Sequence, residues 1–196
     1  MGTVVAHMTM SLDGFIAFPD DSVGPLFDWY AAGPITTPSS SEQITFQTDA
    51  ASAEFLRSIL DSAGALICGR RLFELTDAWG GRHPIGCPVV VVTHSVPSGW
   101  PEAGEHFSFV TTGVTDAVTR AQEIAGPKLV VVSTPTLTRQ CLDLGLLDEV
   151  AVSLAPVLLG SGIPFFSGLA QTPVMLDDPE VVVGLRATHL RYRVRR

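Results

Sequence analysis

The sequence is poor in charge and almost without lysine, Lys128 being the one among 196 residues. Charged residues are 16% of the chain, and 20 acids against 12 bases leave a net charge of -8. Such a chain lacks the basic surface that nucleic acid or anionic membrane attracts, so neither is expected as a partner. No apolar run approaches the ~20 residues that span a bilayer. The N-terminus has no basic stretch followed by an apolar core, so no signal peptide is read and a cytoplasmic location is expected. Cysteine is scarce: Cys68, Cys87 and Cys141 are odd in number, far apart and outside any C-x-x-C, which reads as reduced thiols. The histidines, His7, His83, His94, His106 and His189, show no ligand spacing, so no metal is expected. G-x-G-x-x-G, G-x-x-x-x-G-K-[ST] and G-x-S-x-G are all missing.

Apolar residues make up 46% of the chain, enough for a sizeable core, and the length suits one domain over 1–196. Short apolar strands alternate with helical segments. "TVVAHMTMSL", "GALICG", "CPVVVVTH", "HFSFVTT", "KLVVV" and "DEVAVSLAPVLL" read as strands; "EFLRSIL", "RRLFELTDAW", the segment from Val114 to Ile124 and that from Thr134 to Leu144 read as helices. "GPLFDWYAA" opens a further short helix. This is the pattern of an α/β fold, a mostly parallel sheet with helices on both faces. The tail, "EVVVGLR" and "THLRYRV", has no helix between its strands and predicts an antiparallel pair. Its last strand sets Arg191, Arg193 and Arg195 on one face, as a charged edge strand or an anion site. Residues 33–49 form one long Ser/Thr/Pro-rich loop, a lid or a disordered connection.

On the first strand His7, Thr9, Ser11 and Asp13 share a face. Asp13 and Gly14 lie at its carboxyl end, where open α/β sheets bind ligands. Asp13 is either a substrate-facing carboxylate or the acceptor of its own turn. Gly69 opens a helix after a strand, so Arg70 or Arg71 could hold a phosphate there, or Arg71 could pair with Glu74. Thr93, His94 and Ser95 end another strand and could touch a phosphate or begin a turn. Gly160 and Gly162 form a tight turn. At Ser133-Thr134-Pro135 a strand meets a helix, with Thr134 as hydroxyl N-cap and proline at the first helical position.

"MSLDGFIA", "CGRR", "PVVVVT", "RQCLDLGLLDEV", "PVLLGSGIPFF" and "HLRYRV", in this order, resemble the dihydrofolate-reductase-like superfamily, and within it the reductase domain of the riboflavin-biosynthesis deaminase–reductase. The resemblance implies a mixed, mostly parallel sheet, usually in a homodimer. It implies hydride transfer from NADPH to a pterin- or pyrimidine-like heterocycle. Carried over residue by residue, it places the cofactor along Gly69, Arg70, Arg71, Thr93, Ser95, Ser133, Thr134 and Thr136. The substrate then lies near Thr9, Ser11, Trp29, Gly160 and Gly162, with Asp13 and His7 orienting or protonating it. Five positions depart from the family: Ser133-Thr134 replaces a glycine pair, Leu72 a threonine, His7 a lysine and Val132 an acidic residue. The last two argue against a phosphoribosyl-pyrimidine substrate. Two other readings stay open, a non-catalytic dimeric binding protein and a cleft that holds a flavin or another nucleotide.

Overall fold

The computed structural model describes residues 2–41, 44–101 and 103–195. Strands β1 (Val4–Ser11) and β2 (Phe15–Ala17) are followed by a 3-10 helix at Gly24–Ala31, then by β3 (Ile35–Thr37) and β4 (Phe46–Thr48). Next come α1 (Ala50–Ser62), β5 (Ala63–Gly69), α2 (Arg70–Leu75), β6 (Val89–Val92), β7 (Phe107–Val110) and α3 (Val114–Ala125). The chain continues through β8 (Leu129–Ser133), α4 (Pro135–Asp143), β9 (Glu149–Ala155), β10 (Ile163–Pro164), β11 (Glu180–Val183) and β12 (Thr188–Arg193).

Eight strands form the main sheet in the order β11-β12-β9-β1-β8-β5-β6-β7. From β9 to β7 all neighbours are parallel, and β12 and β11 run antiparallel. The Val-rich strands are buried on both sides, as parallel strands between helical layers must be. Val4, Ala6, Ile67 and Val132 meet α3 and α4 on one face. Val5, Leu66, Val91 and Val131 belong to the other face, with Phe73 of α2 and Trp79. The expected mixed α/β architecture, with its antiparallel C-terminal pair, is the one observed.

Three local expectations change. The 33–49 segment carries a hairpin, Ile35 opposite Thr48 and Thr37 opposite Phe46, and Phe46 packs with Trp29 and Leu56; positions 42 and 43 of that segment lie outside the described residues. The helix expected through Trp79 stops at Leu75, because Asp77, Ala78 and Trp79 turn left-handed and lay the indole over Phe107. The arginine-bearing strand is not an edge: β12 lies between β9 and β11, and β11 is the edge.

Candidate functional site

Parallel neighbours bring strand ends together. With Cys68 opposite Ser133 and Gly69 opposite Val92, the ends of β8, β5 and β6 stand in one row. Ser133-Thr134, Gly69-Arg70 and Thr93-Ser95 therefore share one edge of the sheet. Thr134 does precede Pro135 at the start of α4, but its side chain makes no cap bond. Its Oγ1 is buried and has no partner among the described residues, and Gly69 lies beside it. An unpaired buried hydroxyl at a helix N-terminus next to a glycine fits a phosphate oxygen, so this edge suits the pyrophosphate of a dinucleotide. Thr136 is exposed one turn position further on.

The other members of the row have protein partners. Thr93 Oγ1 donates to the Ser95 carbonyl at 2.8 Å and shapes a turn. Arg70 donates to Glu74 at 2.7 Å and reaches Ser95 at 3.3 Å, while Arg71 pairs with Asp21 rather than with Glu74. Of the residues that depart from the family pattern, Val132 is buried in the core and Leu72 packs, partly buried, against it.

At the end of β1 the Asp13 carboxylate clamps two loops. It accepts from Ser11 Oγ at 2.6 Å, the Leu159 amide at 3.1 Å and the Gly160 amide at 2.7 Å. The Ser11 bond, helped by those two amides, holds its carboxyl below the usual range, so it is ionised at neutral pH. Gly160 has φ +75°, and a methyl group at Gly162 would overlap the Ala17 carbonyl oxygen. The Gly160–Gly162 turn thus seats β10 against β2. Trp29, expected beside a planar ligand, is 1% exposed and gives its Nε1 proton to Thr9 at 3.3 Å. Its ring is therefore enclosed by protein rather than offered to a planar ligand.

Between α1 and the sheet lies a cleft of about 350 Å³, lined among others by His7, Phe55, Val131, Ala151 and His189. His7 Nε2 meets Ser153 Oγ at 3.3 Å, Ser153 Oγ meets His189 Nδ1 at 2.9 Å, and His189 Nε2 meets Ser52 Oγ at 3.1 Å. Phe55 stacks on His189 with centroids 3.9 Å apart. Burial, then His189 and Arg191, push His7 down to about 4, and burial pushes His189 to about 4 against the pull of Asp49. Both imidazoles are neutral at pH 7. Protonation, one of the two roles expected of His7, thus has no charged imidazole behind it at neutral pH, because removal from water disfavours the charged form.

Ser52, Phe55, Ser153 and His189 were not singled out from sequence. For Ser153 and His189 the one signal is a polar residue at an inward position of an apolar strand, as in "AVSLA" and "THL". A wider depression of about 590 Å³ flanks β12 on the side of Asp177 and Arg195. Two of its arginines are paired, Arg191 with Glu149 and Arg195 with Asp177, and its lining carries four acids against three arginines, which does not favour an anion. Cys68 and Cys141 are buried, and burial raises both thiols, Cys141 to about 12. Among the described residues no cluster of His, Cys, Asp or Glu could hold a metal, and no helix is long and apolar enough to cross a membrane.

Comparison with known proteins places this arrangement. The uncharacterised protein YwjB of Bacillus subtilis is 24% identical over 165 residues, 84% of this chain and 83% of that one. A Shewanella sp. PV-4 structure described under riboflavin biosynthesis superposes with a TM-score of 0.69 at 21% identity, covering 99% of each chain. Dihydrofolate reductase from Enterococcus faecalis, solved with NADP(H), superposes at 0.60 and 13% identity over 100% of this chain and 98% of its own. At such identities the structural likeness speaks for the fold. The profile of the RibD C-terminal domain matches residues 2–189, and the chain belongs to that family.

Proposed function

We propose that the protein is a reductase that uses NADPH to reduce a small, uncharged pterin- or pyrimidine-like heterocycle held in the α1 cleft. The observation that carries this reading is the meeting of the two sites: Ser133 Oγ, on the strand-end row, reaches the His7 carbonyl at 3.4 Å. A ligand on the row and one in the cleft would touch at His7. When bound, NADPH supplies the hydride. Gly69 leaves room for its phosphates, the Thr134 hydroxyl and the free amides of α4 bind them, and Arg70 stands beside them. Phe55 and the apolar cleft floor hold the ring. At pH 7 Asp13 is ionised and His7 is uncharged, so neither is an effective acid and the residues act by placement, which alone lowers barriers by several kcal/mol.

The charges around the cleft argue for an uncharged substrate. Glu54 and Glu180 line it, and its one arginine, Arg191, is paired with Glu149 at 2.6 Å. Among the described residues a phosphoribosyl group finds no free cation there. Titration with NADPH, read by tryptophan quenching and thermal shift with NADH as control, is expected to show saturable micromolar binding, about -8 kcal/mol. No binding up to millimolar would sink the proposal.

A second reading, a dimeric binding protein without catalysis, draws on the pairing of Arg70 with Glu74 and Arg71 with Asp21. It expects the double change Ser133→Gly, Thr134→Gly to create NADPH binding that the unaltered chain lacks; no gain counts against it. Both readings take the protein as a homodimer, which sedimentation equilibrium tests.

A further inference from the structure

β11 ends the sheet, and its hydrogen bonds show which of its groups are left over. The Gly184 amide donates to the Ala187 carbonyl at 2.9 Å, so these two residues form a hydrogen-bonded pair. Such pairs alternate along an antiparallel ladder, so Val182 opposite His189 and Glu180 opposite Arg191 also turn their backbone groups to β12. Val181 and Val183 then turn theirs outward, and among the described residues nothing meets them. Their side chains are 52% and 72% exposed. Natural edges are blunted by lysine, proline or a bulge, and the run from Val181 to Val183 has none of these. Such an edge is a template for another strand.

We propose that β11 pairs antiparallel with β11 of a second copy of this chain, about a twofold axis at Val182, and joins two sheets into one. The register follows from the donors. Centred on Val182, Val181 meets the partner's Val183 and Val183 meets the partner's Val181, and every outward N–H and C=O of these valines is used. Centred on Val181, Val183 would meet the partner's Pro179, which has no N–H. Centred on Val183, Val181 would meet the partner's Leu185, whose amide is already held by Asp49 at 2.8 Å. The charges agree with the first register. It carries the acidic end of one strand, Asp178 and Glu180, to the hairpin tip that holds the partner's Arg186. Arg186 can turn to them, because its ion pair with Asp28, at 3.2 Å, lies at the surface. Val181 lies opposite Leu190, on the α3–α4 side of the sheet, and there the outer valines of the two copies cover one another. On the other side Val182, which lines the α1 cleft, stands beside the partner's Val182. The second copy thus contributes a side chain to the cleft wall.

This surface rests on the homodimer reading above, and the test tells the two apart. Sedimentation equilibrium of the unaltered chain is expected to show a dimer. Val181→Lys with Val183→Lys sets lysine against lysine across the axis and should raise the dissociation constant at least a hundredfold, with circular dichroism unchanged. Val181→Glu with Val183→Lys brings opposite charges together in this register alone, and should restore the dimer. Val182→Cys places two cysteines with Cα atoms about 4.5 Å apart, near enough for a disulfide. It should cross-link on mild oxidation where the unaltered chain does not. A dimer that survives the double lysine change overturns the β11 surface and leaves the homodimer standing. A dimer lost in both double variants, or no cross-link at Val182, overturns the register and the proposal with it. An unaltered chain that stays monomeric at millimolar concentration overturns both readings and leaves the edge to a strand of some other protein.

Discussion

A methyl group added at Gly69 would stand 3.8 Å from Thr134 Oγ1, at ordinary van der Waals distance. The φ of Gly69 is -82°, which any residue adopts, so its glycine is not explained by folding. Gly69→Ala is therefore expected to shift stability by less than about 1 kcal/mol, while weakening NADPH tenfold or more, as paired thermal melts and titrations would reveal. Equal NADPH affinity in the variant would move the phosphates elsewhere. Trp29→Phe makes the opposite case. It strands Thr9 Oγ1 without its indole donor and should cost about 1–3 kcal/mol in urea denaturation, with the cleft lining unchanged. At this scale the sequence was a partial guide. Alternation along β1 correctly grouped His7, Thr9 and Ser11, because period two is a property of the strand itself. What the grouping hid was which polar atoms were already satisfied, since Ser153 and His189 stand 146 and 182 residues away in number and beside His7 only in the sheet.

Among the elements, the strand-end row was the most legible feature: Gly69, Thr93 and Ser133 each close an apolar run, and parallel pairing does the rest. The 33–49 hairpin was not legible, because Ser, Thr and Pro dominate its composition, and its order comes from Phe46 burying against Trp29 and Leu56. The position of β12 was misread for a related reason. Alternating arginines suggest an edge, yet Arg191 is neutralised by Glu149 on the neighbouring strand, and β11 covers the far side. Turn glycines carry their own prediction. Gly162→Ala drives a methyl group into the Ala17 carbonyl and should separate β10 from β2, costing about 1–3 kcal/mol as overpacking does. Hydrogen exchange would place the loss at residues 15–17 and 163–164; protection unchanged there would mean the turn shifts without strain.

For the whole molecule, three histidines set the response to acid. Burial lowers His7, His83 and His189 to about 4 from an ordinary 6.5. Between those values the unfolded chain holds more protons than the folded one, so stability falls as pH falls from 6.5 towards 4. The slope is at most about 1.4 kcal/mol per pH unit for each ring, nearest that limit for the enclosed His189 and smaller for the other two, which are partly open. Below about 4 these rings add no further loss. Urea midpoints at pH 7, 5.5 and 4.5 should decline in that order; a flat series would mean that the folded protein accepts the protons. The layered sheet behind this behaviour was readable from the alternation of valine-rich strands and helices, whereas the burial of each ring depends on contacts that no local pattern records. The central place of β1 has one more consequence. Its two neighbours are β8 and β9, with Val5 opposite Val131 and His7 opposite Ala151. A ribosome thus delivers this central strand well over a hundred residues before its sheet neighbours exist. Contacts so distant make folding slow, and the segment from Val4 to Met10 must be kept from other chains until α4 has carried β9 back across it.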